Sequence, residues 1–134
     1  MLVSGVEAIS DAVLSAAAAT GTSIEVVASA ALGFDRWAQA AGVLVGEDQA
    51  AALASLGPRR RAGVFLVGFS AAEMGRHSVP LGGQLIVLPD GLPSLSAVLS
   101  DAGGAGAPVV AVVGGSGGVG ASTLAAVLAL AAAR

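Results

Sequence analysis

Residues 114–123, which read GGSGGVGAST, have the residue types and spacing best suited to chemistry in this chain. Glycines let successive backbone N–H groups approach phosphate oxygens at a helix N-terminus. The two hydroxyls that follow can bind Mg²⁺ and a further phosphate oxygen. We therefore predict a phosphate-binding loop in which Ser122 is the Mg²⁺ ligand. Its candidate residues are Gly115, Ser116, Gly117, Gly118, Val119, Gly120, Ala121, Ser122 and Thr123.

Two nucleotide-binding patterns fit these glycines. From Gly115 to Gly120 they match the G-x-G-x-x-G of a dinucleotide-binding fold, and they also match a P-loop, G-x-x-x-x-G, that lacks its lysine. The Ser122-Thr123 pair favours the P-loop, because a dinucleotide site does not need adjacent hydroxyls there. The acidic residue of a dinucleotide site is expected about 20 residues later, beyond Arg134. A fragment of an NAD-dependent oxidoreductase and a glycine-rich turn that binds nothing remain as alternatives.

A strand at 109–113 and a helix at 122–134 are expected to position this loop. One β-loop-α unit cannot bury both of its faces alone, so we expect the chain to stop just inside a second domain. The GGAGAP stretch before it predicts a linker. The expected division is a receiver-like domain at 1–102, a linker at 103–108 and the truncated start of a P-loop ATPase domain at 109–134.

Short apolar runs, each followed by a helical pattern, fill the first hundred residues. The predicted strands are 1–3, 24–28, 43–45, 64–67 and 85–88. They lack the polar alternation of a half-exposed strand, so each is expected to be buried on both faces. This pattern predicts an α/β fold: a flavodoxin-like (receiver-like) parallel five-stranded sheet sandwiched by helices, with strand order 2-1-3-4-5.

Local signals set the expected helix boundaries. S-x-x-E capping boxes at residues 4–7 and 70–73 predict helix starts, Gly21 predicts a helix end, and a third helix is expected at 49–56. Helical spacing predicts buried faces that comprise Phe34, Trp37, Ala38 and Ala41 in the second helix and Leu95, Val98, Leu99 and Ala102 in the fifth.

The stretch VVAVVGGSGGVGASTLAAVLALA, residues 109–131, resembles the opening of the MinD/ParA superfamily of deviant P-loop ATPases. The likeness is to its pilus-assembly CpaE/TadZ-like branch and to the related septum site-determining (Ssd) proteins of actinobacteria. Proteins of that group join a receiver-like domain to a P-loop ATPase domain. The first hundred residues resemble them in architecture and in alanine-rich character.

This resemblance implies ATP and Mg²⁺ as cofactors of a full-length parent, with none bound by the present fragment. It implies that Thr123 contacts the α-phosphate and that lysines belong at the places of Ser116 and Ala121. Because those lysines neutralise phosphate charge during transfer, we expect at most a weak ATPase. The implied role is a non-catalytic regulatory or localisation module in septum site determination and cell division, or alternatively in positioning a pilus or secretion apparatus. The implied partners are proteins of those machineries or a second copy of the chain in a homodimer.

Composition narrows the class of protein. Hydrophobic residues make up 55% of the chain and charged residues 11%, which suits a packed core. A net charge of −3 without any lysine argues against a nucleic-acid surface, and the lack of cysteine excludes disulfides and thiolate-bound metals. Residues 102–133 carry no charge, but glycines and a proline interrupt them. We expect a cytoplasmic protein whose contact with a membrane is at most peripheral.

The receiver-like segment departs from an active receiver. Phosphotransfer needs acidic residues after strand one, an aspartate at the end of strand three, a hydroxyl after strand four and a lysine after strand five. Those places hold Ser4-Gly5, Gly46, Gly68 and Pro89. Phosphotransfer is therefore not expected, and Glu47 and Asp48 are expected to cap the third helix, where negative charge suits the dipole.

Two further polar features have no visible chemical partner. His77 is expected in a solvent-exposed loop. The run Arg59-Arg60-Arg61 follows Gly57-Pro58 and predicts a solvated turn, with the docking of a partner as the alternative.

Overall fold

Runs of Val, Leu and Ile form the strands, because these side chains suit a sheet that is covered on both faces. The computed structural model describes residues 1–103 and places five strands in one sheet. They are β1 (Leu2–Val3), β2 (Val26–Val27), β3 (Val43–Gly46), β4 (Val64–Gly68) and β5 (Gln84–Val87). The order is β2-β1-β3-β4-β5 and neighbouring strands pair in parallel, so the predicted topology is confirmed.

A helix follows each strand. The helices are α1 (Glu7–Thr20), α2 (Ala30–Arg36), α3 (Glu47–Ser55), α4 (Ala71–Leu81) and α5 (Leu92–Gly103). Side chains alternate along a strand, so β3 sends Val43 and Val45 to one face of the sheet and Leu44 to the other. The first face packs against α2, α3 and α4, and the second against α1 and α5. The predicted α/β sandwich is confirmed.

Parallel pairing gives the sheet two chemically different ends. We call the end where the strands finish the carboxyl end, and the end where they begin the amino end. Every βα loop lies at the carboxyl end, beside the start of the next helix. Every αβ loop lies at the amino end, beside the finish of the preceding helix.

The second helix is shorter than its apolar spacing predicts. It stops at Arg36, so the predicted face does not form. Three of its members are exposed: Phe34, Ala38 and Ala41. Trp37 is 4% exposed, which confirms its predicted place in the core. The buried side of α2 contains Ala30 and Gly33, because the helix lies directly against Val3 of β1.

The structure tests three other local predictions, which concern the end of α1, the buried face of α5 and the place of His77. Gly21 ends α1 in the left-handed conformation, with φ of 69°, as expected for a glycine at a helix end. In α5, Leu95 and Leu99 are buried as predicted, but Ala102 is exposed. The loop predicted for His77 is wrong: the residue is half-buried within α4, which continues through Gly75 to Leu81.

The predicted linker residues 104–108, the strand at 109–113 and the helix at 122–134 lie outside the described residues. Gly103, which was expected to open the linker, is the last residue of α5. Among the helices of residues 1–103, none combines the length and the hydropathy that crossing a bilayer requires.

Candidate functional site

The predicted phosphate-binding loop at residues 115–123 lies outside the described residues. Its candidate residues and the Mg²⁺ ligand Ser122 therefore stay predictions. Within residues 1–103, the carboxyl end of the sheet is the candidate site, because parallel α/β sheets bind ligands beyond the carboxyl ends of their strands.

The four positions that hold the phosphotransfer residues of an active receiver lie together at this end. Ser4-Gly5 follows β1, while Gly46 and Gly68 are the last residues of β3 and β4. Leu88 follows β5, is 5% exposed, and donates its backbone N–H to the Gly68 carbonyl oxygen at 2.8 Å. Pro89 comes one residue later, after a cis peptide bond. Because β5 ends at Val87, the place after it is Leu88 and not Pro89 as predicted, and it holds a buried apolar side chain instead of a lysine.

Glu47 reaches from the first turn of α3 to the loop after β4. Its Oε2 atom accepts hydrogen bonds from the backbone N–H groups of Phe69 and Ser70, both at 2.9 Å. A Cβ atom on Gly68 would lie 2.7 Å from the Cβ atom of Glu47, so glycine is what leaves room for this side chain. Hydrogen bonds to a carboxylate are about twice as strong as neutral ones. Glu47 therefore ties the start of α3 to the start of α4.

Asp48 makes the corresponding connection to the loop after β1. Its Oδ1 atom accepts the Ser4 hydroxyl at 2.8 Å, and its Oδ2 atom accepts the Gly5 N–H at 2.8 Å and the Gln49 side-chain amide at 3.0 Å. Partial burial raises the pKa of Asp48, but the hydrogen bonds from Gly5, Gln49 and Ser4 outweigh it and hold the pKa below its ordinary value. The carboxylate is thus ionised at neutral pH. We call Glu47, Asp48 and the groups that they bind the carboxylate clasp.

The carboxylate clasp corrects two predictions about helix starts. The capping box predicted at Ser4 is wrong: α1 begins at Glu7 with Val6 as its N-cap and no side-chain cap, and the Ser4 hydroxyl donates to Asp48 and accepts the Val6 N–H at 3.2 Å. Glu47 and Asp48 lie in the first turn of α3 as expected, but they bind other loops and do not cap their own helix. The second capping residue is confirmed, since Ser70 Oγ accepts the Glu73 N–H at 3.3 Å.

The Mg²⁺ ion that a receiver fold implies does not fit these residues. In the part of the chain that the structure describes, no three His, Asp or Glu side chains are grouped closely enough to hold a metal ion. The oxygens of Asp48 and the Oε2 atom of Glu47 already accept N–H and O–H groups. Gly46 supplies no side-chain oxygen at the place of the phosphoacceptor aspartate.

Arginines hold the loops at the amino end. Arg61 donates from Nη2 to the Ala41 carbonyl oxygen at 3.0 Å and from Nη1 to that of Trp37. Arg60 donates from Nη2 to the Val79 carbonyl oxygen at 2.9 Å. The arginine run is therefore more than the solvated turn that was predicted, because two of its side chains satisfy carbonyl groups near the ends of α2 and α4.

Comparison with known proteins gives the receiver-like unit a family. A family model described as "Rv3660c-like, CheY-like N-terminal domain" matches residues 3–110. No curated protein and no solved structure matches the chain. The family description agrees with the strand order and helix layers described above, and the predicted receiver-like class is confirmed. The chain belongs to the family of Rv3660c-like, CheY-like N-terminal domains.

Proposed function

We propose that residues 1–103 are a regulatory docking module that keeps the receiver fold and works without phosphotransfer. The family match supports the receiver-like part of this proposal. The absence of phosphotransfer is supported by the carboxylate clasp, in which Glu47 and Asp48 lie where a receiver has its phosphoacceptor and its Mg²⁺.

The physical reason concerns the loop after β4. Phosphorylation orders a protein segment by adding negative charge and strong acceptor oxygens. Here the Glu47 carboxylate already accepts the N–H groups of Phe69 and Ser70 without any modification. A permanent acceptor holds the loop in one arrangement. The module then acts through what docks on its surface, and its state does not depend on a kinase.

Treatment of the full chain with acetyl phosphate and Mg²⁺ tests this proposal. Intact mass should show no added phosphoryl group, and the amide resonances of Gly5, Gly46 and Phe69 should not move. Stoichiometric phosphorylation that disappears in Asp48→Ala would refute the proposal, because it would show that the carboxyl end is an active phosphoacceptor site.

A matched pair of variants tests the carboxylate clasp itself by hydrogen exchange. Glu47→Ala should accelerate exchange at the Phe69 and Ser70 amides and leave Gly5 unchanged, whereas Asp48→Ala should do the reverse. Each variant serves as the control for the other. Uniform acceleration in both would mean that the two carboxylates stabilise the unit generally and do not hold separate loops.

For a longer parent protein we propose a role in septum site determination, with the positioning of a pilus or secretion apparatus as the alternative. Support comes from the resemblance of residues 109–131 to MinD/ParA-type ATPases, in which main-chain amides at 117–122 would hold ATP with Mg²⁺ on Ser122. In that parent, Mg²⁺-dependent ATP binding should weaken at least about tenfold in Ser122→Ala, with slow hydrolysis throughout. Binding of NAD in preference to ATP would favour the oxidoreductase reading.

A further inference from the structure

We infer that the receiver-like unit carries two complementary surface patches, at opposite ends of its sheet, through which copies of the chain associate head to tail. The carboxyl-end patch comprises Phe69, Glu73, Asp90 and Leu92. The amino-end patch comprises Leu56, Arg59, Arg60 and Val79. Each contains two exposed apolar side chains and two charges of one sign, and the signs are opposite.

The carboxyl-end patch spans the loops after β4 and β5. The hydrogen bond from the Leu88 N–H to the Gly68 carbonyl oxygen, at 2.8 Å, keeps these loops side by side. Phe69 is 49% exposed although its backbone is fixed by Glu47, and Leu92 is 40% exposed. Glu73 contacts Arg76 with an Nη1–Oε1 distance of 3.5 Å, but both side chains are more than half exposed, so the pair is weak. The patch is therefore apolar and acidic.

The amino-end patch lies where α3 and α4 finish. Val79 is 70% exposed, the largest exposed fraction among the bulky apolar side chains of residues 1–103, and Leu56 is 46% exposed. Arg60 is held beside Val79 by its 2.9 Å hydrogen bond to the Val79 carbonyl oxygen, and Arg59 is exposed. Residues 56–63 and 78–83 contain no carboxylate. This patch is apolar and basic.

A second copy of the chain is the occupant that fits both patches. Opposite charges steer two surfaces together and fix their register, and exposed apolar side chains supply the contact area. The two patches of one molecule cannot meet, because α4 holds them apart: Glu73 and Val79, their members on this helix, are six residues apart, or about 9 Å at 1.5 Å per residue. A contact between two different patches is heterologous, so it builds chains or rings and does not stop at a two-fold dimer.

Two double variants of the full chain test this inference by sedimentation velocity over a series of concentrations. Phe69→Ser with Asp90→Arg blocks the carboxyl-end patch, and Arg59→Glu with Val79→Ser blocks the amino-end patch. The unchanged chain should associate at low salt and less at about 1 M NaCl, where the Debye length is about 3 Å. Each double variant should weaken association at least about tenfold.

The decisive sample is an equimolar mixture of the two double variants. Each retains the patch that the other has lost, so the mixture should form a heterodimer and nothing larger. Leu14→Ser is the control, because Leu14 is 43% exposed, close to the 49% of Phe69, but lies midway along α1, and it should leave association unchanged. A monomeric unchanged chain, association that neither double variant weakens, or a mixture that stays monomeric would each overturn the inference.

Discussion

The two ends of the sheet use opposite charges for the same purpose. At the carboxyl end, Glu47 and Asp48 accept hydrogen bonds from backbone N–H groups of neighbouring loops. At the amino end, Arg60 and Arg61 donate to backbone carbonyl groups. In a parallel α/β sandwich the helices start at the carboxyl end and finish at the amino end, so free N–H groups gather at one end and free carbonyl groups at the other. Acidic side chains therefore suit the carboxyl end, where helices start, and basic side chains suit the amino end, where helices finish.

The ends differ in how closely their parts are packed. Two strand-terminal glycines at the carboxyl end leave room for side chains of the carboxylate clasp, which fill it. At the amino end the arginines lie over the outside of the loops, and Gly42, which precedes β3, has only ordinary contacts, whereas Gly83 and Gly103 lie close to Leu66 and Thr22. We therefore expect substitution to be tolerated less well at Gly46, where β3 finishes, than at Gly42, just before β3 begins.

The largest effect should come from a methyl group added at Gly46, where β3 finishes, and Gly42, just before β3 begins, is its control. A Cβ atom on Gly46 would lie 2.6 Å from Ser4 Oγ, whereas one on Gly42 would lie 3.6 Å from the nearest atom, the Gly63 carbonyl oxygen. Gly46→Ala should lower the free energy of unfolding by about 2–3 kcal/mol, and Gly42→Ala should change it by less than about 0.5 kcal/mol. Urea unfolding followed by Trp37 fluorescence measures both, and equal losses would contradict the difference between the ends.

Removal of Glu47 should have the next largest effect. Glu47→Ala leaves the Phe69 and Ser70 N–H groups without their acceptor and should lower the free energy of unfolding by about 1–2 kcal/mol. Glu47→Gln keeps a neutral acceptor oxygen and should lose less than Glu47→Ala. If the two variants lose the same amount in urea unfolding, the hydrogen bonds to Phe69 and Ser70 are not what Glu47 contributes.

Asp48 should make the stability of the carboxyl end depend on pH. Its pKa is lowered in the folded protein from 3.8, so the unfolded chain binds a proton more readily than the folded one. Its contribution is complete above that value and is lost as the pH falls through the lower folded pKa. Asp48→Asn should cost about 1 kcal/mol at neutral pH. Urea titrations should show the gap between variant and unchanged chain narrowing below pH 3.8, and a gap that stays constant would argue against this role.

The smallest effect should come from the amino end. Arg61→Ala removes donors to the carbonyl groups of Trp37 and Ala41 and should cost about 1 kcal/mol or less, with no change at the acidic pH where Asp48 titrates, because a guanidinium stays charged. Arg59→Ala is the control, since the Arg59 side chain makes no hydrogen bond or ion pair within residues 1–103, and it should be neutral. A loss in Arg61→Ala that changes below pH 3.8, as the loss in Asp48→Asn should, would break the contrast between the two ends.

The sequence predicted the strands, helices and topology of this molecule better than the side-chain contacts at the carboxyl end of its sheet. Apolar runs such as Val43 to Val45 identify buried strands by themselves, and Gly21 and Ser70 were read correctly at helix boundaries. The prediction of Ser4 as a helix cap failed, because α1 begins later, at Glu7, and the Ser4 hydroxyl instead connects to Asp48, which lies 44 residues later in the chain. Two adjacent carboxylates directly after a buried strand were the available signal, but nothing local says which loops they will bind.

The order of residues by itself determined which segments are apolar, where helices and strands alternate, and that no aspartate ends β3 and no lysine follows β5. These properties are local, since they depend on side-chain type and on spacing along a few residues. Only the tertiary structure decided that Glu47 and Asp48 lie between three loops and that Gly46 and Gly68 face them. A hydrogen-bond partner is set by which parallel strands become neighbours and in what register, and that arrangement comes from burying both faces of the whole sheet at once.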